Sequence, residues 1–177
     1  MTLLIGLDPG LRHTGWGVVE ARAGGDLRFV ACGVVNGVLD GELAGRLGSI
    51  YHGLAEVIRI WAPAEAAVEE TVVNRNPLSS LKLGHARGVV LLAASHAGLT
   101  VAEYGSMQVK KAVTGTGHAA KDQVAAMVQA MLPGAGEPRA DAADALAVAI
   151  CHAHVRVSRG RIAAALARDR SLAARSS

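Results

Sequence analysis

The chain has 177 residues, 51% of them hydrophobic and only 3% aromatic, with 18 Lys+Arg against 15 Asp+Glu for a formal net charge of +3. That length suits one domain with a sizeable core, and an apolar content made mostly of Ala, Val and Leu suits helices packed closely on a sheet. No uncharged apolar run reaches the roughly 18 residues of a membrane span, no signal peptide is visible, and two cysteines (Cys32 and Cys151) cannot build a disulfide framework, so a reduced, cytoplasmic protein is expected.

Leu3 to Leu7 reads as a strand that ends at the Asp8-Pro9-Gly10 turn, and Trp16 to Ala21 restarts as a second strand. Gly24-Gly25-Asp26 marks a hairpin into a third strand over 27–35, so the first three strands form an antiparallel meander. Residues 42–61 switch to helical spacing, with Leu43, Leu47, Ile50, Leu54, Val57, Ile58 and Trp61 on one stripe, and Pro63 stops the helix. Ala66-Ala67-Val68-Glu69-Glu70-Thr71 is a short buried strand reached by that crossover and therefore parallel to the first.

A second helix spans 76–97, with Asn76 as cap and Pro77 at its first position. Its Val89 to Ala94 run is apolar all round, which predicts the sheet on one side and a partner subunit on the other. Thr100 to Tyr104 is a fifth strand. Ser106 to Val113 and Ala119 to Met131 are helices separated by Gly115-Thr116-Gly117, and a last helix covers 139–154. The expected fold class is α/β, a mixed five-stranded sheet with helices on both faces. Residues 1–154 form the domain, and the Arg-rich stretch 155–177 is read as a basic, flexible tail lacking a bulky core.

Four acids stand out. Asp8 ends a central apolar strand, where a carboxylate costs several kcal/mol unless hydrogen-bonded or bound to a cation. Capping of the Pro9-Gly10 turn is the plain alternative. Glu69 lies near the C-terminal end of the neighbouring strand, where ligands gather in open sheets, and Glu70 points to the opposite face. Asp141 and Asp144, three apart, share one face of the last helix, where they either meet something positive or sit in solvent favouring the helix N-terminus. Four carboxylates without a matching Cys/His set favour Mg²⁺ or Mn²⁺ over Zn²⁺, and two such ions suit in-line phosphodiester displacement. Basic charge is concentrated in the middle of the chain, with Arg75, Lys82, Arg87, Lys110, Lys111 and Lys121 against only Glu103, which suits a polyanionic substrate.

Taken together, Ile5-Gly6-Leu7-Asp8-Pro9-Gly10 with Thr14-Gly15, Ala67-Val68-Glu69-Glu70, Leu81 to Gly88, Gln108-Val109-Lys110-Lys111, Lys121 to Val124 and Ala140 to Ala147 resemble the RuvC family of bacterial Holliday-junction resolvases. The resemblance covers about residues 3–154. It implies a ribonuclease H-like fold and a crossover junction endodeoxyribonuclease acting in DNA recombination and repair, with Asp8, Glu69, Asp141 and Asp144 holding two Mg²⁺ or Mn²⁺ ions. It further implies Lys110 and Lys121 at the scissile phosphate, with Lys111, Lys82 and Arg87 as lesser DNA contacts. The implied partners are four-way junction DNA, a second copy in a homodimer matching the junction's two-fold symmetry, and a junction-migrating helicase complex.

The sequence departs from the family's pattern in one place. Members carry an aromatic a few residues after the strand glutamate, whereas here the stretch is Thr71-Val72-Val73-Asn74-Arg75. Val72 and Val73 as an aliphatic wedge, or Arg75 stacking its guanidinium, would replace a base-stacking contact worth about 1–3 kcal/mol.

Other signals are weaker. Gly115 to Lys121 lacks Walker spacing, Cys151-His152-Ala153-His154 lacks a second ligand pair, and His13 lies near the first turn. An actin-like ATPase or sugar kinase would need a second phosphate motif and about twice the length. A non-catalytic module for branched DNA would leave the four acids unexplained.

Overall fold

A computed structural model describes residues 1–37, 42–70 and 76–175. Five strands, β1 (Thr2–Asp8), β2 (His13–Ala21), β3 (Leu27–Asn36), β4 (Glu65–Glu70) and β5 (Thr100–Gly105), form one sheet in the order β3-β2-β1-β4-β5. The β1–β2 and β2–β3 pairs are antiparallel, and β1–β4 and β4–β5 are parallel. The meander, the crossover and the central place of β1 all match the sequence reading. β2 starts three residues earlier than predicted, because the Thr14 hydroxyl donates to the Gly10 carbonyl (2.8 Å) and draws the strand back to the turn.

Between β3 and β4 lies α1 (Leu43–Trp61), and between β4 and β5 lies α2 (Pro77–His96). The Asn76 side chain caps α2 by accepting from the amides of Leu78 and Ser79, as its position before Pro77 predicts. After β5 come α3 (Ser106–Thr114), α4 (Lys121–Met131) and α5 (Ala140–Arg175).

Side chains alternate across the sheet and so divide the core in two. Ile5, Leu7, Val18, Ala66 and Val68 pack under α1 and α2 against Ile50, Leu54, Ala86 and Val90. Leu4, Val19, Ala67 and Tyr104 pack on the other face against Val109, Val124, Leu146 and Ile150 of α3, α4 and α5. Asp8 shares the parity of Leu4, and Glu69 that of Ala67. Both therefore emerge on the α5 side, while Glu70 belongs to the α1/α2 side. On α2, Ala86, Val90, Ala93 and Ala94 are buried and Leu78, Leu81 and Leu92 are exposed.

The sequence pattern predicts a last helix ending at 154 and a flexible tail beyond it, whereas α5 continues to Arg175. Burial does stop there: Ala153 is buried, Val155 packs at the core edge, and residues 159–168 are exposed. The extension is rich in Ala, Arg and Leu, strong helix formers, so helix propensity carries the backbone beyond the edge of the core.

A carboxylate cleft at the carboxyl ends of the central strands

Glycines on the sheet decide where α5 can lie. A Cβ at Gly6 would sit 2.1 Å from the Ala145 carbonyl oxygen, and one at Gly15 would sit 1.9 Å from that of Asp141. Helix backbone therefore rests directly on strand backbone, which a side chain at either position would prevent. Gly15 is also the register partner of Asp8. The same contact that seats the first turn of α5 brings Asp141 and Asp144 beside the end of β1.

Asp8, Glu69 and Asp144 line a cleft of about 150 Å³ together with Ser106, Val109, Lys110, Lys121, Val124 and Ala147. Each acid reaches it from a different element: Asp8 from β1, Glu69 from β4, Asp144 from α5. Asp141, one turn earlier on α5, lies on the far side of the Asp8-Pro9-Gly10 turn, bordering a second groove, yet its charge is felt at Asp8. The Asp8 carboxyl is pushed up from 3.8 to about 8, first by burial and then by the charges of Glu69, Asp144 and Asp141, with Lys121 opposing. Burial also raises Glu69, against a hydrogen bond from Ser106 and the charges of Lys121 and Lys110. Lys121 reaches Asp144 at 3.2 Å between Nζ and Oδ2, and that carboxylate holds the ammonium's pKa above its ordinary value.

The donor set is chemically that of a hard divalent cation site, all oxygen and with more negative charge than the local lysines offset. Among the described residues no three such side chains already surround a single point. A buried carboxyl that resists ionisation without a cation is the feature such an ion would relieve.

The structure thus gathers Asp8, Glu69, Asp144, Lys110 and Lys121 at one cleft and sets Asp141 at its edge. Lys111 is exposed and outside the cleft lining. Arg87 lies on the α1/α2 side of the sheet, ion-paired with Glu103 of β5. Lys82 borders the second groove with Asp141. Val72, Val73 and Arg75 fall outside the described residues. Ser106, whose hydroxyl favours the charged form of Glu69, reads in the sequence only as the start of a helix; a lone Ser opening a short helix carries no signal until Glu69 is placed opposite it. The Cys151-His152-Ala153-His154 run is absorbed by packing. Cys151 Sγ is 3.9 Å from the Gln108 carbonyl, His152 contacts Tyr104 and Glu65, and His154 bonds the Ala112 carbonyl.

Sheet order, helix placement and the acids at the strand ends define an α/β protein of the ribonuclease H-like class. A family profile described as Crossover junction endodeoxyribonuclease RuvC matches residues 4–152. The chain belongs to the RuvC family. It is 58% identical over 165 residues to a RuvC from Rhodospirillum rubrum, covering 93% of this chain and 96% of that one. A RuvC from Gluconacetobacter diazotrophicus is 56% identical over 164 residues, covering 93% and 97%. Among solved structures, T. thermophilus RuvC in complex with a Holliday junction substrate superposes with a TM-score of 0.82 at 39% identity, covering 89% of this chain and 97% of that one. A yeast mitochondrial Holliday junction resolvase shares the fold at 10% identity, with a TM-score of 0.61 and coverage of 85% and 78%.

Proposed function

We propose that this protein is a structure-selective endonuclease that resolves four-way DNA junctions by paired, metal-dependent phosphodiester hydrolysis in recombination and repair. The observation that carries the reading is the Asp8 carboxyl, pushed to about 8 at the floor of a cleft shared with Glu69 and Asp144. Neither a fold-stabilising role nor a plain DNA-binding role accounts for acids held together at that cost. Kinship with RuvC proteins along nearly the whole chain, and the likeness to one bound to a Holliday junction, support the choice of substrate.

In this reading Asp8, Glu69, Asp141 and Asp144 would hold two Mg²⁺ or Mn²⁺ ions, which would supply Lewis-acid stabilisation of the charge that develops during in-line displacement. Asp8 lies between Glu69 on β4 and the acids of α5 and would be a ligand beside either. Ser106 fixes the Glu69 carboxylate through its hydroxyl. Lys110 and Lys121 set positive charge against the non-bridging oxygens of the scissile phosphate. The exposed Leu78, Leu81 and Leu92 on α2 support a homodimer, whose two clefts would meet strands of like polarity across the junction. A junction-migrating helicase complex is the further partner. A bacterial junction substrate puts the reaction in the cytoplasm, and no helix among the described residues is long and apolar enough to cross a membrane.

The test is a nicking assay with Mg²⁺ or Mn²⁺ on a synthetic four-way junction and on a linear duplex of the same sequence. Paired nicks in the junction and intact duplex are expected. Binding of the junction without cleavage by the wild type would sink the nuclease reading, and equal cleavage of the duplex would sink the structural selectivity.

A further inference from the structure

Across the Asp8-Pro9-Gly10 turn from the carboxylate cleft lies a second, wider groove of about 490 Å³. The β1–β2 turn supplies Gly10, Arg12 and His13 to it, the start of α1 supplies Arg46, and the start of α2 supplies Ser79 and Lys82. Asp141 closes it on the side of the catalytic acids. Among the described residues, three cations thus face one acid in a concave surface.

Several arginines elsewhere in the chain are held by acids. Arg22 and Arg28 pair with Glu20, Arg59 with Glu56, Arg87 with Glu103, and Arg156 with Glu65. Among the described residues, Arg12, Arg46 and Lys82 have no acidic partner within salt-bridge distance. Arg46 is nevertheless held in place: its Nη2 donates to the Leu11 carbonyl (3.3 Å), and its buried Nε bonds none of the described residues. The buried Nε is out of reach of a ligand, but a guanidinium anchored through Nη2 at the groove wall is held in one orientation for an acceptor in the groove. The N-terminal end of a 20-residue helix, whose dipole favours an anion, adds to the same field.

We propose that this groove is a phosphate-binding subsite that grips the backbone of the cleaved strand beside the scissile phosphodiester, with Arg12, Arg46 and Lys82 as its cations. The inference rests on the nuclease reading above and adds the path of the strand. Gly10 and Asp141 border the groove while Asp8 and Asp144 line the cleft, so a strand whose phosphate lies at Asp8 crosses the turn into the groove. Backbone contacts of this kind carry no sequence information and act as register pins.

Arg12 and Lys82 are exposed, so the double variant Arg12→Ala/Lys82→Ala leaves folding intact. Junction affinity of the full chain is measured by fluorescence anisotropy across a salt series without divalent metal, beside wild type and Arg59→Ala, whose arginine lies outside the groove. The slope of log K against log salt should become shallower by about 0.9 for each phosphate that the variant no longer neutralises, close to 2 for the pair. Affinity at low salt should fall at least about tenfold, with Arg59→Ala matching wild type. A double variant with wild-type slope and affinity, while the wild type still nicks the junction, overturns the subsite and leaves the nuclease reading standing. A wild type that fails to bind the junction overturns both.

Discussion

Placing an alanine at Gly15 should separate catalysis from substrate binding. The added Cβ would lie 1.9 Å from the Asp141 carbonyl oxygen and 2.5 Å from its carbon, both main-chain atoms that no rotamer change can remove. To restore ordinary contact, the first turn of α5 must retreat by roughly 1.5 Å, or β2 must bend as far the other way. Either movement carries Asp141 and Asp144 away from Asp8, the register partner of Gly15. Overpacking of this kind costs about 1–3 kcal/mol of stability, which a domain of this size should survive. A misplacement of about 1 Å in a catalytic constellation costs on the order of 10²-fold in rate. Single-turnover nicking of a four-way junction at saturating protein should therefore fall about 100-fold or more, while anisotropy reports nearly unchanged binding. Gly17→Ala is the graded comparison, because its obstacles are the Leu146 side chain at 2.7 Å and the Leu146 main-chain nitrogen at 3.0 Å, a milder clash than at Gly15, and its nicking should fall less. Wild-type nicking by a folded Gly15→Ala protein would refute the idea that glycine-mediated seating of α5 sets the acid cluster.

Further outcomes follow from the same geometry. Asp8 has a folded pKa near 8 against an ordinary 3.8, so in metal-free protein its contribution is favourable below about pH 4 and is lost as pH rises toward 8. Asp8→Asn should therefore raise the metal-free melting stability at pH 7.5 by about 2 kcal/mol, discounted from a ceiling of about 5, with the gain fading by pH 4; thermal melts in EDTA that show no gain would contradict the buried-charge account. His152 is buried and kept neutral mainly by desolvation, donating from Nε2 to Glu65 (3.2 Å) while Nδ1 accepts from the Tyr104 hydroxyl (2.8 Å). His152→Ala strands both partners and should cost about 1–3 kcal/mol in chemical denaturation, with nicking by the folded fraction retained. Val73→Phe should tighten junction binding and alter the choice of nick site, as seen on sequencing gels, through stacking worth about 1–3 kcal/mol; unchanged affinity and nick positions would dismiss the aliphatic-wedge reading.

The parts of the fold written in local pattern were legible in the sequence. Alternation along β4 assigned Glu69 and Glu70 to opposite faces, the Asn76-Pro77 pair placed the start of α2, and the Ala-, Val- and Leu-rich composition foretold helices packed closely on the sheet. What escaped were features that exist only between distant segments. Ser106 has meaning only because β5 ends opposite Glu69, and Arg87 changes from a free cation to half of an ion pair because α2 crosses β5 at Glu103. Arg12 and Arg46, 34 positions apart, share a groove only because Arg46 of α1 reaches the Leu11 carbonyl in the β1–β2 turn. The end of α5 differs for another reason: absence of a core does not mean absence of helix, and an Ala- and Arg-rich chain can remain helical while fully exposed.

The central claim is that the four acids cut DNA rather than merely stabilise the fold or bind a junction. Its most direct test is single-turnover cleavage of a four-way junction in Mg²⁺ by wild type and Asp8→Asn at protein concentrations where both are fully bound. Paired nicks by the wild type, and a rate at least about 10²-fold lower for Asp8→Asn with undiminished binding, are the result predicted. Equal cleavage by the two proteins would contradict it.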